Sequence, residues 1–208
     1  MSQLTRRMFE GTSLYPKIKS LGHYPDYLWW ILRGKPVRSP HLLKQKTVLE
    51  YGRRFGLRNF VETGTYHGEM VQAALRHFDR IYSVELDPKL AAFARARFER
   101  QTHVRILEGS SEVRIPEVLA ELDSAALFWM DAGYYGSGAQ LGNIDRLRSE
   151  LNCILSHAQQ HIVLMDDARV FTGGDGKTSA AQLISEIEQR FPNRKVEIVR
   201  DIFRISFR

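Results

Sequence analysis

From Asn59 onward the chain alternates short apolar runs with longer stretches whose apolar residues recur every three to four positions. The short runs are Asn59–Glu62, Arg80–Glu85, Val104–Leu107, Ala125–Met130 and Ile162–Met165, and their length and composition predict five buried strands. Between them, Met70, Val71, Ala74, Leu75 and Phe78 predict one helix face, and Leu90, Phe93, Ala94 and Phe98 a second. Asp87-Pro88 suits the start of that second helix, Asp at the N-cap and Pro in the first turn. A third helix is expected from about Pro116 to Leu122, and a longer one bears Ile144, Leu151, Ile154, Leu155 and Ala158. Ser179-Ala180-Ala181-Gln182 is a capping-box pattern and opens a helix that runs to about Arg190. Lys195–Val199 and Ile202–Phe207 follow as strands with two residues between them, so they must pair antiparallel. The order βαβαβαβαβα with a terminal hairpin predicts an α/β fold: a seven-stranded, mainly parallel sheet with helices on both faces and a C-terminal antiparallel hairpin.

Charge divides the chain in two. Residues 1–58 carry 12 Lys and Arg against three acids, a balance of +9, whereas the other 150 residues stand at −3. We therefore read 1–58 as a basic, aromatic, helical N-terminal extension packing on the core, and 59–208 as the main domain. With Tyr24, Tyr27, Trp29 and Trp30, the extension could meet phosphate, anionic lipid or an acidic substrate; equally, its aromatics could pack on the domain while its charges stay solvated. Nucleic acid is not an expected partner, because no helix-turn-helix, zinc or RNA-binding signature accompanies the charge. The apolar content of 43% and charged content of 26% exclude fibrous and wholly disordered classes. Cys153 is the single cysteine, which rules out an intrachain disulfide. The longest aromatic-apolar run near the N-terminus, Tyr27–Leu32, is six residues, against about 20 for a membrane span. With no targeting segment visible, the expected location is the cytoplasm, with peripheral membrane contact through the basic segment as an option.

Ligands of such sheets bind beyond the carboxyl ends of the strands. There the sequence places Glu62-Thr63-Gly64-Thr65-Tyr66-His67-Gly68, Glu85, Ser110-Ser111, Asp131 and Asp166-Asp167. Gly64 and Gly68 would let a ligand approach the backbone closely. Glu85, 17 residues after Gly68, could accept both hydroxyls of a ribose, or could simply be solvated. The third glycine of G-x-G-x-x-G is missing, and Glu62 just before the loop would repel a pyrophosphate. S-adenosylmethionine, with an amine and a sulfonium but no phosphate, suits this loop better than NAD. If the fourth and fifth strands are neighbours, Asp131 and Asp166-Asp167 converge, and three carboxylates suit a hard cation such as Mg²⁺. The same residues could instead cap loops, contact the cofactor or act directly as bases.

The chain resembles the class I S-adenosylmethionine-dependent methyltransferases, and within them a bacterial group of small enzymes related to sugar and macrolide O-methyltransferases. The resemblance rests on Pro40–Gln45, Phe60–Gly68, Ile81–Pro88, Leu127–Asp131 and Val163–Arg169, and spans about residues 40–208. It implies a Rossmann-like sheet whose last strand inserts antiparallel beside strand five. It also implies that Glu62, Thr63, Gly64, Thr65 and Gly68 line the methionine and ribose side. Glu85, with Leu86 beside it, would take the ribose, and Ser110 and Ser111 would flank the adenine. Asp131 and Asp166 would be catalytic, with Asp131 also against the cofactor; Tyr134 and Tyr135 would meet the acceptor or only cover the sheet edge, and Arg169 would meet the acceptor. Arg169 could equally pair with the acidic cluster. One departure stands out: where the group carries a histidine after the strand-four aspartate, this chain has Gly133, and His67 is a candidate substitute. The expected activity is methylation of a hydroxyl on a small molecule or sugar, with S-adenosylmethionine and optionally Mg²⁺. The alternative is a non-catalytic protein that binds the cofactor or a partner on the same fold. A homodimer is a further option.

Overall fold

The computed structural model describes residues 25–34, 36, 39–131, 144–174 and 178–208. Its elements in chain order are α1 (His41–Arg54), β1 (Asn59–Thr63), α2 (Glu69–Ala74), β2 (Arg80–Glu85), α3 (Pro88–Arg97), β3 (Val104–Glu108) and α4 (Ser111–Glu121). They continue with β4 (Ala126–Met130), α5 (Ile144–Leu155), β5 (Ile162–Met165), a 3₁₀ turn (Ala168–Val170), α6 (Ala180–Arg190), β6 (Arg194–Val199) and β7 (Ile202–Phe207). Residues 25–32 are also helical.

The seven strands form one sheet in the order β3-β2-β1-β4-β5-β7-β6. The first five are parallel, and β7 pairs antiparallel with both β5 and β6. This is the expected Rossmann-like sheet with its terminal hairpin. Both faces are covered, so the inner strands read as continuous apolar runs rather than alternating ones. Along β4, Leu127 and Trp129 face one core with Phe60, Ile81, Ile162 and Leu164, packed under α1, α2 and α3. Phe128 and Met130 face the other core with Val61, Val163 and Met165, packed under α4, α5 and α6.

Three local outcomes refine the sequence reading. Helix α4 begins at Ser111, five residues before Pro116, which lies inside it. Ile115, Val118 and Leu119 are buried on one helical face, and that burial carries the helix through the proline despite the lost N–H. The hairpin turn Arg200-Asp201 has φ of 54° and 69°, the two positive values that a tight two-residue hairpin requires. Finally, the basic N-terminal stretch divides. Helix α1 buries Leu43, Val48 and Tyr51 against the sheet and is tied at its entry by Ser39 Oγ donating to the Arg200 carbonyl (2.7 Å). Residues 25–32 bury Trp30, whose indole N–H donates to the Pro36 carbonyl (2.8 Å), but leave Leu28, Trp29 and Leu32 more than half exposed. Among the described residues no helix is long and apolar enough to cross a membrane.

Candidate active site

The strand order reverses between β1 and β4, and sheets of this kind bind ligands in the crevice at such a switch point. The register puts Thr63 beside both Val84 and Met130, and Met130 beside Met165. The residues that follow these positions therefore emerge side by side. A pocket of about 430 Å³ opens there, lined from β1 and its loop by Glu62, Gly64, Thr65 and Tyr66, from β4 by Trp129 and Asp131, and from α1 by His41 and Lys44.

Glu62 is buried at the pocket wall. Ser83 Oγ donates to its Oε2 (2.6 Å), and the Thr65 and Ser83 hydroxyls are hydrogen-bonded to each other (2.6 Å). Burial pushes the Glu62 carboxyl up to about 8, with Asp131, Glu85 and Glu69 adding repulsion and the Ser83 bond opposing the rise. Gly64 has φ of 90°, and a Cβ there would point at Asp131 at 3.8 Å, so the bare backbone keeps this floor of the pocket open. Gly68 does different work: a Cβ on it would sit 2.5 Å from the Phe98 ring, so its bareness seats α3 rather than a ligand.

Glu85 is fully buried, and each oxygen accepts a backbone N–H, Oε2 from Tyr66 (2.7 Å) and Oε1 from Asp87 (3.0 Å). The carboxylate thereby anchors the β1–α2 loop to the start of α3. Leu86 beside it is half exposed. Ser110 occupies the N-cap position of α4 without a side-chain cap bond. The Ser111 hydroxyl donates to buried Glu150 (2.6 Å) and accepts from Arg146 (2.8 Å), so it belongs to an α4–α5 clamp. His67 sits between Tyr66 and Phe93 in edge-on ring contacts and does not line the pocket. Gly133, Tyr134 and Tyr135 lie outside the described residues.

The acidic residues converge. One oxygen each from Asp131, Asp166 and Asp167 lies within 4.8 Å of the others, because β4 and β5 are neighbours in register. Asp166 and Asp167 each hold a side-chain cation. Lys44 Nζ pairs with Asp166 Oδ2, and Arg169 pairs with Asp167 at 2.6 Å and with Asp201 of the hairpin turn. Asp166 is 1% exposed, and its Oδ1 is buried with no hydrogen-bond partner among the described residues. Burial raises the Asp166 carboxyl to about 6, with Lys44 opposing the rise. The Arg169 guanidinium is thus engaged with the acidic cluster, the second of the two roles the sequence allows it.

The sequence reading did not single out Lys44, His41 or Asp201. The signal for the first two was present: His41, Lys44, Gln45 and Val48 share one helical face, and Val48 marks that face as the buried one. A lysine on the buried side of an amphipathic helix asks for a carboxylate partner. Asp201 offered no such mark, since its role depends on the hairpin folding back onto the 168–170 turn.

No protein-family model and no curated protein matches the sequence. Solved structures do match. A candidate caffeoyl-CoA O-methyltransferase from Staphylococcus aureus has a TM-score of 0.60 at 16% identity, covering 94% of this chain and 99% of that one. The O-methyltransferase TomG from Streptomyces achromogenes, involved in tomaymycin synthesis and solved with S-adenosylmethionine, has 0.58 at 14% identity, covering 86% and 85%. The S-adenosylhomocysteine-bound methyltransferase PaMTH1 from Podospora anserina has 0.56 at 20%, covering 88% and 86%. Structural likeness over most of each chain shows that this protein has the Rossmann-like fold of these methyltransferases.

Proposed function

We propose that the chain is an S-adenosylmethionine-dependent methyltransferase acting on a hydroxyl oxygen of a small molecule or sugar. The observation that carries this reading is the acidic lining of the pocket at the switch point, with Glu62 on one side, Asp131 on the other and Gly64 bare between them. Such a lining repels phosphate and suits a ligand that is cationic at its amino-acid end and at its sulfur. S-adenosylmethionine, when bound, supplies an activated methyl group on a sulfonium. Glu62 would face the cationic end, and Glu85, at the end of β2, would accept the ribose hydroxyls. A hydroxyl is a weak nucleophile at neutral pH and needs a base. Asp131, at the pocket wall, would accept the hydroxyl proton as the oxygen bonds to the methyl carbon and the carbon–sulfur pair stays on sulfur.

Asp131, Asp166 and Asp167 are the residues that would hold a divalent cation, and their all-oxygen chemistry matches Mg²⁺. The ion pairs argue against a resident one: Lys44 and Arg169 already compensate Asp166 and Asp167.

Calorimetric titration with S-adenosylmethionine, S-adenosylhomocysteine and NAD tests the cofactor reading, with saturable binding expected for the first two only. Transfer of a labelled methyl group to a panel of hydroxylated acceptors tests the reaction. Binding with no transfer across the panel would favour a non-catalytic cofactor-binding protein; tighter binding of NAD would reject the reading.

A further inference from the structure

We infer that Lys44 is the built-in cation of the carboxylate cluster, standing where a divalent metal would otherwise sit and making this site metal-independent. Three observations carry the inference. Asp131, Asp166 and Asp167 bring one oxygen each within 4.8 Å, close enough for a single cation to reach all three. Lys44 Nζ is on Asp166 Oδ2, and Asp166 is buried, so the pair is formed where screening is weak. Lys44 is delivered by α1, a long helix packed on the sheet under Val48 and Tyr51, so the ammonium is placed by the core rather than by a flexible tail.

The electrostatics explain the placement. Three neighbouring carboxylates repel, and each would be driven toward its protonated form unless a cation were held among them. Arg169 serves Asp167 from the outer side, where Asp201 fixes it. Lys44 serves Asp166 from the pocket side, and it lines the pocket together with Asp131. An ammonium has three donors, and Asp166 Oδ2 takes one. The others remain for an acceptor oxygen in the pocket, where a fixed positive charge favours the deprotonated oxygen. A metal ion would have to displace this ammonium or share the carboxylates with it at close range. That role in methyl transfer rests on the function proposed above; the identity of the cluster's cation does not.

The test is a titration with Mn²⁺, followed by electron paramagnetic resonance, on the full chain and on Lys44→Gln, Lys44→Arg and Lys44→Gln/Asp166→Asn. Wild type is expected to show no saturable uptake at roughly millimolar Mn²⁺. Lys44→Gln should gain at least about tenfold in Mn²⁺ affinity, because a like charge has left the cluster and the buried Asp166 oxygens become available. Lys44→Arg should behave as wild type, and Asp166→Asn should erase the gain. Saturable Mn²⁺ binding by wild type that Lys44→Gln leaves unchanged would overturn the inference. So would the absence of Mn²⁺ binding in every variant, or an equal gain in Lys44→Arg. The wild-type titration stands even if a variant fails to fold. S-adenosylmethionine titrations of the same proteins separate the two ideas: loss of cofactor binding in wild type would count against the methyltransferase reading and leave the cation assignment untouched.

Discussion

At the edge of the sheet where the parallel strands begin, the buried polar residues bond to their neighbours' backbone and hold the strand starts together. His161 Nδ1 accepts the N–H of Ala126, the first residue of β4 (3.0 Å), and Arg194 at the head of β6 donates to the His161 carbonyl (2.6 Å). Asn59 at the head of β1 donates to the Ser124 hydroxyl (2.9 Å). At the opposite edge, where the strands end, five buried or half-buried carboxyl groups gather, Glu62, Glu85, Asp131, Asp166 and Asp167, with Lys44 and Arg169 paired to Asp166 and Asp167. Although Arg194 Nε is buried with no hydrogen-bond partner among the described residues, the hydrogen bonds at the first edge tie strand starts to one another, so folding accounts for them. Carboxylates gathered at the second edge repel one another and are costly to bury, so folding alone does not; such perturbed groups in a cleft mark a functional site.

The largest expected effect separates the two edges directly. Asp131→Asn keeps shape and removes the proposed base, so methyl transfer should fall by about 10²–10⁴-fold, while the thermal midpoint should hardly move. Labelled-methyl assays and thermal unfolding on the same preparation check this. A large loss of stability with little loss of rate would make Asp131 a structural residue and erase the contrast.

The strand-start edge should answer to acid. Burial, with His157 and Arg194 adding repulsion, lowers His161 to about 4 from an ordinary value near 6.5. The folded protein therefore prefers the neutral ring and the unfolded chain the charged one. This contribution is fully present above pH ~6.5 and is lost as the pH falls toward about 4. Its full size is about 3 kcal/mol. Urea unfolding at a series of pH values should show the decline, and a flat profile through that window would remove His161 as its cause.

Glu85 sits between the two behaviours, since it anchors a loop and is proposed above to hold the ribose. In Glu85→Gln the amide presents a donor to either Tyr66 N–H or Asp87 N–H, and one charged acceptor is lost. S-adenosylmethionine affinity should weaken by at least about tenfold, in line with a charge-assisted hydrogen bond. An unchanged dissociation constant by calorimetry would leave Glu85 as a loop anchor only.

The smallest effect is a proton count. Glu62, raised to about 8 by burial, is mostly protonated at neutral pH. A cationic ligand favours the carboxylate, so cofactor binding near pH 7 should release up to about one proton, falling toward zero well above pH 8. Binding enthalpies measured in buffers of different ionisation heat report this, and Glu62→Gln should abolish it. Proton uptake on binding would contradict the sign.

Much of the architecture was legible in the amino-acid order, because strand, helix and hairpin patterns are local. Arg80–Glu85, Ile162–Met165 and Ile202–Phe207 read as strands and are strands with those bounds. The alternation of elements implies the parallel sheet, and acids after strand ends imply a crowded crevice. Ser111 and Gly68 were visible as residues of the right type, yet their partners, Glu150 and Phe98, are 39 and 30 residues away in the chain, and only packing assigns them. Lys44 shows the division best. Its place on the buried face of α1 is a matter of helical period. That the face meets Asp166, 122 residues on, follows from β5 lying next to β4 and from α1 covering that end of the sheet. Periodicity determines which way a side chain points along its own element; which charge it meets is decided by how the elements stack, because Coulomb attraction depends on separation in space and not on separation along the chain.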